Sequence, residues 1–231
     1  MATKCVVVYY SATGTTYALA RAIEEGAKAA GAEVRVRKVR ELAPDEAIAS
    51  NQGWAAHRLE TQDVPEVTLA DLEWADAIVM GAPTRYGMVA AQLKQFIDTT
   101  GPLWGAGKLV NKITSGFTSA ATLHGGQEST ILALYNVFYH WSAITVAPGY
   151  ADPIQFAAGN PYGTSFVSQN GTVKPDQTAR DAARFQGRRV AEVAAQFLAG
   201  RSPAGVGQGA TPEQAGANGQ VSASATTAAG A

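Results

Sequence analysis

VVVYYSATGTTYALA, residues 6–20, decides the fold. The segment 4–10 is an almost continuous apolar run of β-branched and aromatic residues, and it stops abruptly. Such a run, bounded by a turn, predicts a central parallel strand covered on both faces. Six small residues follow, Ser11, Ala12, Thr13, Gly14, Thr15 and Thr16, and then an alanine-rich segment begins. In an open parallel sheet, ligands sit at the carboxyl ends of the strands. A helix start there presents unpaired backbone N–H groups that favour an anion. The Ser and Thr hydroxyls add donors, and Gly14 lets the backbone come close to a ligand.

This loop suits a phosphate, and its missing residues narrow the chemistry. No lysine follows in the Walker position, and the three glycines of a dinucleotide fingerprint are absent. There is no cysteine nucleophile and no arginine for phosphatase chemistry. A neutral cradle for a terminal phosphate remains, doing no phosphoryl transfer. The alternative is a plain βα turn with a threonine N-cap.

Working outward, residues 16–30 place Leu19, Ile23 and Ala27 at helical spacing and end at Gly31, a C′ glycine. Residues 32–39 alternate Val34 and Val36 with charged partners, which predicts a strand near an edge. Strands are expected at 76–82, 112–120 and 143–150. Helices are expected at 89–100, 128–141 and 175–200, the last starting at Pro175-Asp176. The helix at 128–141 is apolar on nearly every face and should be buried on more than one side. The alternation argues an α/β fold, a parallel sheet with helices on both faces. The connections 40–72 and 151–174 are far longer than the usual ~4–6 residues and suggest functional or assembly segments.

Composition sets the outer bounds. The chain has 231 residues, 46% hydrophobic and 16% charged, with a formal net charge of −1. That balance carries no electrostatic footprint for nucleic acid. The single cysteine, Cys5, fits a reducing cytoplasm and reads as a small buried hydrophobe. No signal peptide or membrane span is evident, and no metal site is expected because no His/Asp/Glu cluster has ligand spacing. Residues 1–199 read as one domain. Residues 200–231 contain no aromatic residue and no Leu, Ile or Met, so a disordered tail is expected there.

Two further strand ends complete a site. PTRYGM (83–88) joins a proline, an arginine, an aromatic and a glycine, and TSAATLHGGQ (118–127) is small and rich in hydroxyls and glycine. Three such loops at one sheet edge suit a flat heteroaromatic ring with a phosphate arm. Ser-x-Thr-Gly-x-Thr after the first strand resembles the phosphate loop of flavodoxin-like FMN proteins. PTRYG, GPLW (101–104), GGQEST (125–130) and YHW (139–141) resemble the WrbA-like NAD(P)H:quinone oxidoreductases over about residues 4–199.

The resemblance implies a doubly wound, three-layer flavodoxin-like α/β domain over residues 1–199, in strand order 2-1-3-4-5, its last strand interrupted by an insertion at 151–164. It implies that Ser11, Ala12, Thr13, Gly14, Thr15 and Thr16 hold the FMN phosphate. It implies that Pro83, Thr84, Arg85, Tyr86 and Gly87 line the isoalloxazine, with Ser119, Ala120, Ala121 and Thr122 on the other side. It places His140 at the flavin as a proton source to a bound quinone, and Arg85 as a charge that stabilises reduced flavin. It makes Trp104 and Thr13 substrate contacts and implies a homotetramer in which Trp104 and His140 reach a neighbouring subunit's site. Where the family often carries a tyrosine and a histidine in the phosphate loop, this chain has Thr13 and Thr15. The implied activity is two-electron, ping-pong reduction of quinones, with NADH or NADPH as co-substrate. Two other readings stay open at this point: a one-electron carrier flavodoxin, against which the near-zero net charge argues, and a non-enzymatic flavin-linked regulatory or interaction protein.

Overall fold

A computed structural model describes residues 2–201; the tail expected from residue 200 onward lies almost wholly outside the described residues. The elements run β1 (Lys4–Tyr9), α1 (Thr15–Ala29), β2 (Glu33–Lys38), α2 (Asp45–Ala49), α3 (Gln52–Glu60), α4 (Leu69–Trp74), β3 (Ala77–Arg85) and β4 (Met88–Val89). They continue α5 (Ala91–Asp98), α6 (Gly101–Gly105), β5 (Ile113–Ala120), α7 (Gln127–His140), β6 (Ile144–Thr145), α8 (Ile154–Ala158), β7 (Ser165–Val167) and α9 (Gln177–Gly200).

The parallel sheet has the order β2-β1-β3-β5-β6, the doubly wound order expected from the sequence. Alternation along β1 divides the core into two layers. Cys5, Val7 and Tyr9 pack with Leu19, Ile23, Ala183 and Val190 of α1 and α9. Val6, Val8 and Tyr10 pack on the other face with Leu93, Ile131 and Phe138 of α5 and α7. Helices therefore cover both faces, and β1, β3 and β5 are nearly fully buried. The ends follow local rules. Gly31 has φ 83° after α1, and the Asp176 carboxylate caps α9 by accepting from Ala179 N at 2.8 Å.

The fifth strand is broken, as expected, but its first piece is shorter than the span 143–150. β6 pairs with Ile113 and Thr114 of β5, and β7 pairs with Thr118 to Ala120. The chain between them leaves the edge, so the middle of β5 needs other partners. Fully buried Gln186 of α9 supplies them. Its Nε2 donates to Gly116 O at 2.8 Å and to Ser115 Oγ at 2.7 Å, and its Oε1 accepts from Thr164 N at 2.8 Å.

One expectation is corrected. Residues 83–88 are not simply a loop: β3 runs on to Arg85 and turns through Tyr86 (φ 54°) and Gly87 (φ 79°) into β4. A two-residue turn with both φ positive matches the twist of a hairpin, which explains the ladder. The long connection 40–72 folds into α2, α3 and the start of α4.

Candidate functional site

Three strand ends converge on one cleft of ≈ 620 Å³, within the range of about 300–1,000 Å³ usual for small-molecule sites. Its walls hold the residues singled out in the sequence: Ser11, Ala12, Thr13, Thr15 and Thr16 from the first loop, Pro83 to Tyr86 from the second, and Ser119 to Thr122 from the third.

The first loop is shaped for an anion. Gly14 takes φ 92° as the N-cap of α1, a conformation that costs a side chain strain. No side chain caps this helix start, which corrects the threonine-cap alternative. Gly14 N donates to Ser11 Oγ at 3.1 Å. The Thr15 hydroxyl is buried without a partner, and such a group demands an acceptor. Thr16 Oγ1 lies 2.9 Å from Ser119 Oγ, joining the first wall to the third.

The second and third walls are tied through α7. Thr84 Oγ1 accepts from Gly87 N at 3.2 Å and lies 3.3 Å from Gly125 O. Thr130 Oγ1 lies 2.7 Å from Thr84 Oγ1 and 2.8 Å from Gly126 O. A Cβ on Gly126 would fall 2.7 Å from Gly87 Cα, so these backbones need glycine to meet. Arg85 is exposed at the rim with its guanidinium on Thr84 O at 3.0 Å, and the Tyr86 side chain stands fully in solvent.

Four lining residues escaped the sequence reading: Asn51, Trp54, Ser168 and Asn170. Trp54 is held by Glu41, whose Oε2 accepts from Trp54 Nε1 at 3.1 Å and from Tyr10 Oη at 3.0 Å. Burial alone would raise the Glu41 carboxyl, but hydrogen bonds from Ala43 N, Gln92, Tyr10 and Leu42 N outweigh it and hold the pKa below its ordinary value. Behind the loop, His57 Nδ1 lies 3.0 Å from Glu60 Oε2. Burial lowers the His57 pKa, opposed by Glu60 and reinforced by Lys174 and Lys38.

His140 and Trp104 are not brought to this cleft within one chain. His140 ends α7, fourteen residues long, or ~20 Å at 1.5 Å per residue, whereas the other end of α7 meets Gly87. His140 is exposed, and its carbonyl accepts from Trp104 Nε1 at 2.9 Å. Among the described residues no group of three or more His, Cys, Asp or Glu gathers as a metal site, and no helix is long and apolar enough to cross a membrane.

This fold defines a flavodoxin-like protein with a glycine-capped helix start at the end of its first strand. A solved flavodoxin from the domain Archaea shares the fold, with a TM-score of 0.55, 20% identity, and 83% of this chain and 99% of that one covered. The chain belongs to the NADPH-dependent FMN reductase family, whose model matches residues 3–156. It is 48% identical over 196 residues to the NAD(P)H dehydrogenase (quinone) of Deinococcus radiodurans, covering 84% of this chain and 97% of that relative. The namesake of Sinorhizobium fredii is 46% identical over 200 residues, covering 84% and 98%. The solved flavodoxin, WrbA-like protein from Agrobacterium tumefaciens has a TM-score of 0.61 and 27% identity, with 84% and 99% covered. The family agrees with the resemblance carried by the strand-end motifs.

Proposed function

We propose that this protein is an FMN-dependent NAD(P)H:quinone oxidoreductase that holds FMN in the three-loop cleft. One observation carries the assignment: the buried, unpartnered Thr15 hydroxyl stands at a glycine-capped helix start that opens into a cleft of ≈ 620 Å³. The residues present fit the cofactor. Ser11 to Thr16 offer hydroxyl and backbone donors to a phosphate. The walls at Pro83–Gly87 and Ser119–Thr122 carry small side chains and backbone groups between which a flat ring can lie. When bound, FMN supplies hydride acceptance from NAD(P)H and two-electron delivery to a quinone.

The chain itself contributes orientation and charge. The Thr84–Thr130–Gly126 contacts fix the hairpin turn, so the backbone at Gly87 is held still beside the cleft. Arg85 places a permanent positive charge at the rim. Trp54, held by Glu41, lines one side of the cleft. The lone buried thiol of Cys5 suits a reducing, cytoplasmic setting.

The second half of the proposal concerns assembly. Tyr139, Trp104 and Leu132 are exposed along the far part of α7 and α6, a surface that favours contact with other copies. In a homotetramer His140 and Trp104 of one chain would serve the open face of another's cleft, where His140 offers a proton to the quinone.

Anaerobic stopped-flow mixing tests the assignment. FMN-loaded protein should bleach with NADH and recolour rapidly on addition of benzoquinone; absence of bleaching would overturn it. Light scattering after gel filtration checks the tetramer, and a monomer at micromolar concentration would overturn the role given to His140.

A further inference from the structure

The Ser11–Thr16 loop contains no cation, yet one reaches it from a distant part of the chain. Residues 168–174 form a strap against it. Gln169, Asn170 and Gly171 all have positive φ, 47°, 59° and 86°. The turn is closed by Gly171 N and Val173 N donating to Ser168 O at 2.9 and 3.0 Å. Ser168 is anchored to the end of β5, its N donating to Ala120 O at 2.8 Å. The strap sits on Thr13 so closely that a Cβ on Gly171 would fall 2.3 Å from Thr13 Oγ1. At its end Lys174 Nζ donates to Thr13 O at 3.2 Å.

The Thr13 carbonyl and the Gly14 N–H belong to one peptide group and point in opposite directions. Lys174 holds the carbonyl end. The N–H end donates to Ser11 Oγ at 3.1 Å, and Ser11 lines the cleft. With one lone pair engaged by Gly14 N–H, the Ser11 hydroxyl keeps its own proton free to donate. The ammonium, the peptide and the hydroxyl are thus linked in series by two hydrogen bonds, and the dipoles of such a chain polarise one another.

We propose that Lys174 is a positioning residue for the FMN phosphate, acting through the Thr13–Gly14 peptide to present the Ser11 hydroxyl as a donor. This rests on the FMN reading of the cleft. The role is specific to the phosphate, because nothing in the relay touches the walls where the ring would lie.

The test is titration of apoprotein with FMN and with riboflavin, which lacks the phosphate, followed by quenching of flavin fluorescence. Lys174→Met should weaken FMN about five- to tenfold, the scale of one charge-assisted contact, and leave riboflavin within twofold. Lys174→Arg should recover most of the loss. Ser11→Ala should weaken FMN similarly, and the Ser11→Ala/Lys174→Met pair should bind FMN within twofold of Ser11→Ala alone. Equal weakening of both flavins would make the strap a mere prop and overturn the proposal. So would an unchanged FMN affinity, or effects that multiply in the double variant. Wild-type protein that binds neither flavin would instead overturn the FMN reading itself.

Discussion

The two ends of α7 do opposite things. At its N-terminus Gly126, Ser129 and Thr130 close on the β3–β4 hairpin through contacts that leave no room for a Cβ. At its C-terminus Tyr139 and His140 stand in solvent, joined to α6 by the single Trp104–His140 bond. Both ends carry motifs of similar apparent specificity, GGQEST and YHW, yet only the first builds the cleft of its own chain. A helix projects its termini to opposite edges of the sheet, so adjacency in a motif does not mean adjacency in a site.

The contrast breaks most severely at the cleft. Thr13→Glu sets a carboxylate in the proposed phosphate cradle and should weaken FMN at least ~100-fold by like-charge repulsion. A fluorescence titration checks it, and an unchanged affinity would mean that the loop is not the phosphate site. Next comes Gly126→Val, which forces a side chain into φ 93° and against Gly87. It should cost about 2–4 kcal/mol in urea unfolding, and its loss of FMN should exceed that of any change at the far end of the helix.

A smaller effect lies behind the loop. Burial lowers the His57 pKa, so the unfolded chain binds the proton more readily than the folded one. Stability from this group is therefore present above the unfolded value of ~6.5 and is lost as pH falls below it. Chemical unfolding at pH 7.5 and 5.5 should show this loss, and His57→Gln should flatten the slope between them. An identical slope in both proteins would assign the loss to other groups.

The smallest effect is at the far end. His140→Ala should change stability by no more than about 0.5 kcal/mol, as for other exposed sites, and leave FMN affinity untouched. Turnover with quinone should still fall several-fold under the proposal that His140 serves a neighbour's cleft. Full turnover would leave His140 without a catalytic role and sharpen the division between the two ends to a complete one.

Much of the site was legible in the sequence because it obeys short-range rules. The run at 4–10 had to be a covered strand, and Ser11 to Thr16 had to be its carboxyl-end loop. Gly31 and Asp176 marked helix boundaries, and each does so in the structure. Arg85, Ser119 and their neighbours followed from the same strand-end logic and do line the cleft. What escaped lay in side chains whose partners are remote. Trp54 is useful only because Glu41, Tyr10 and Gln92 gather around one carboxylate. Gln186 replaces strand pairing for β5 from 70 residues away, and no local pattern distinguishes it from a surface glutamine.

The sequence by itself determined the alternation of elements and the chemical nature of the three loops. Periodicity, turn residues and helix ends act over a few residues, and these features depend on nothing further. Only the tertiary structure decided which distant groups complete the site. It set Lys174 and the 168–174 strap against Thr13, and it left His140 and Trp104 at the other edge of the sheet. Those outcomes depend on where the broken fifth strand returns and on how far a fourteen-residue helix carries its last residue.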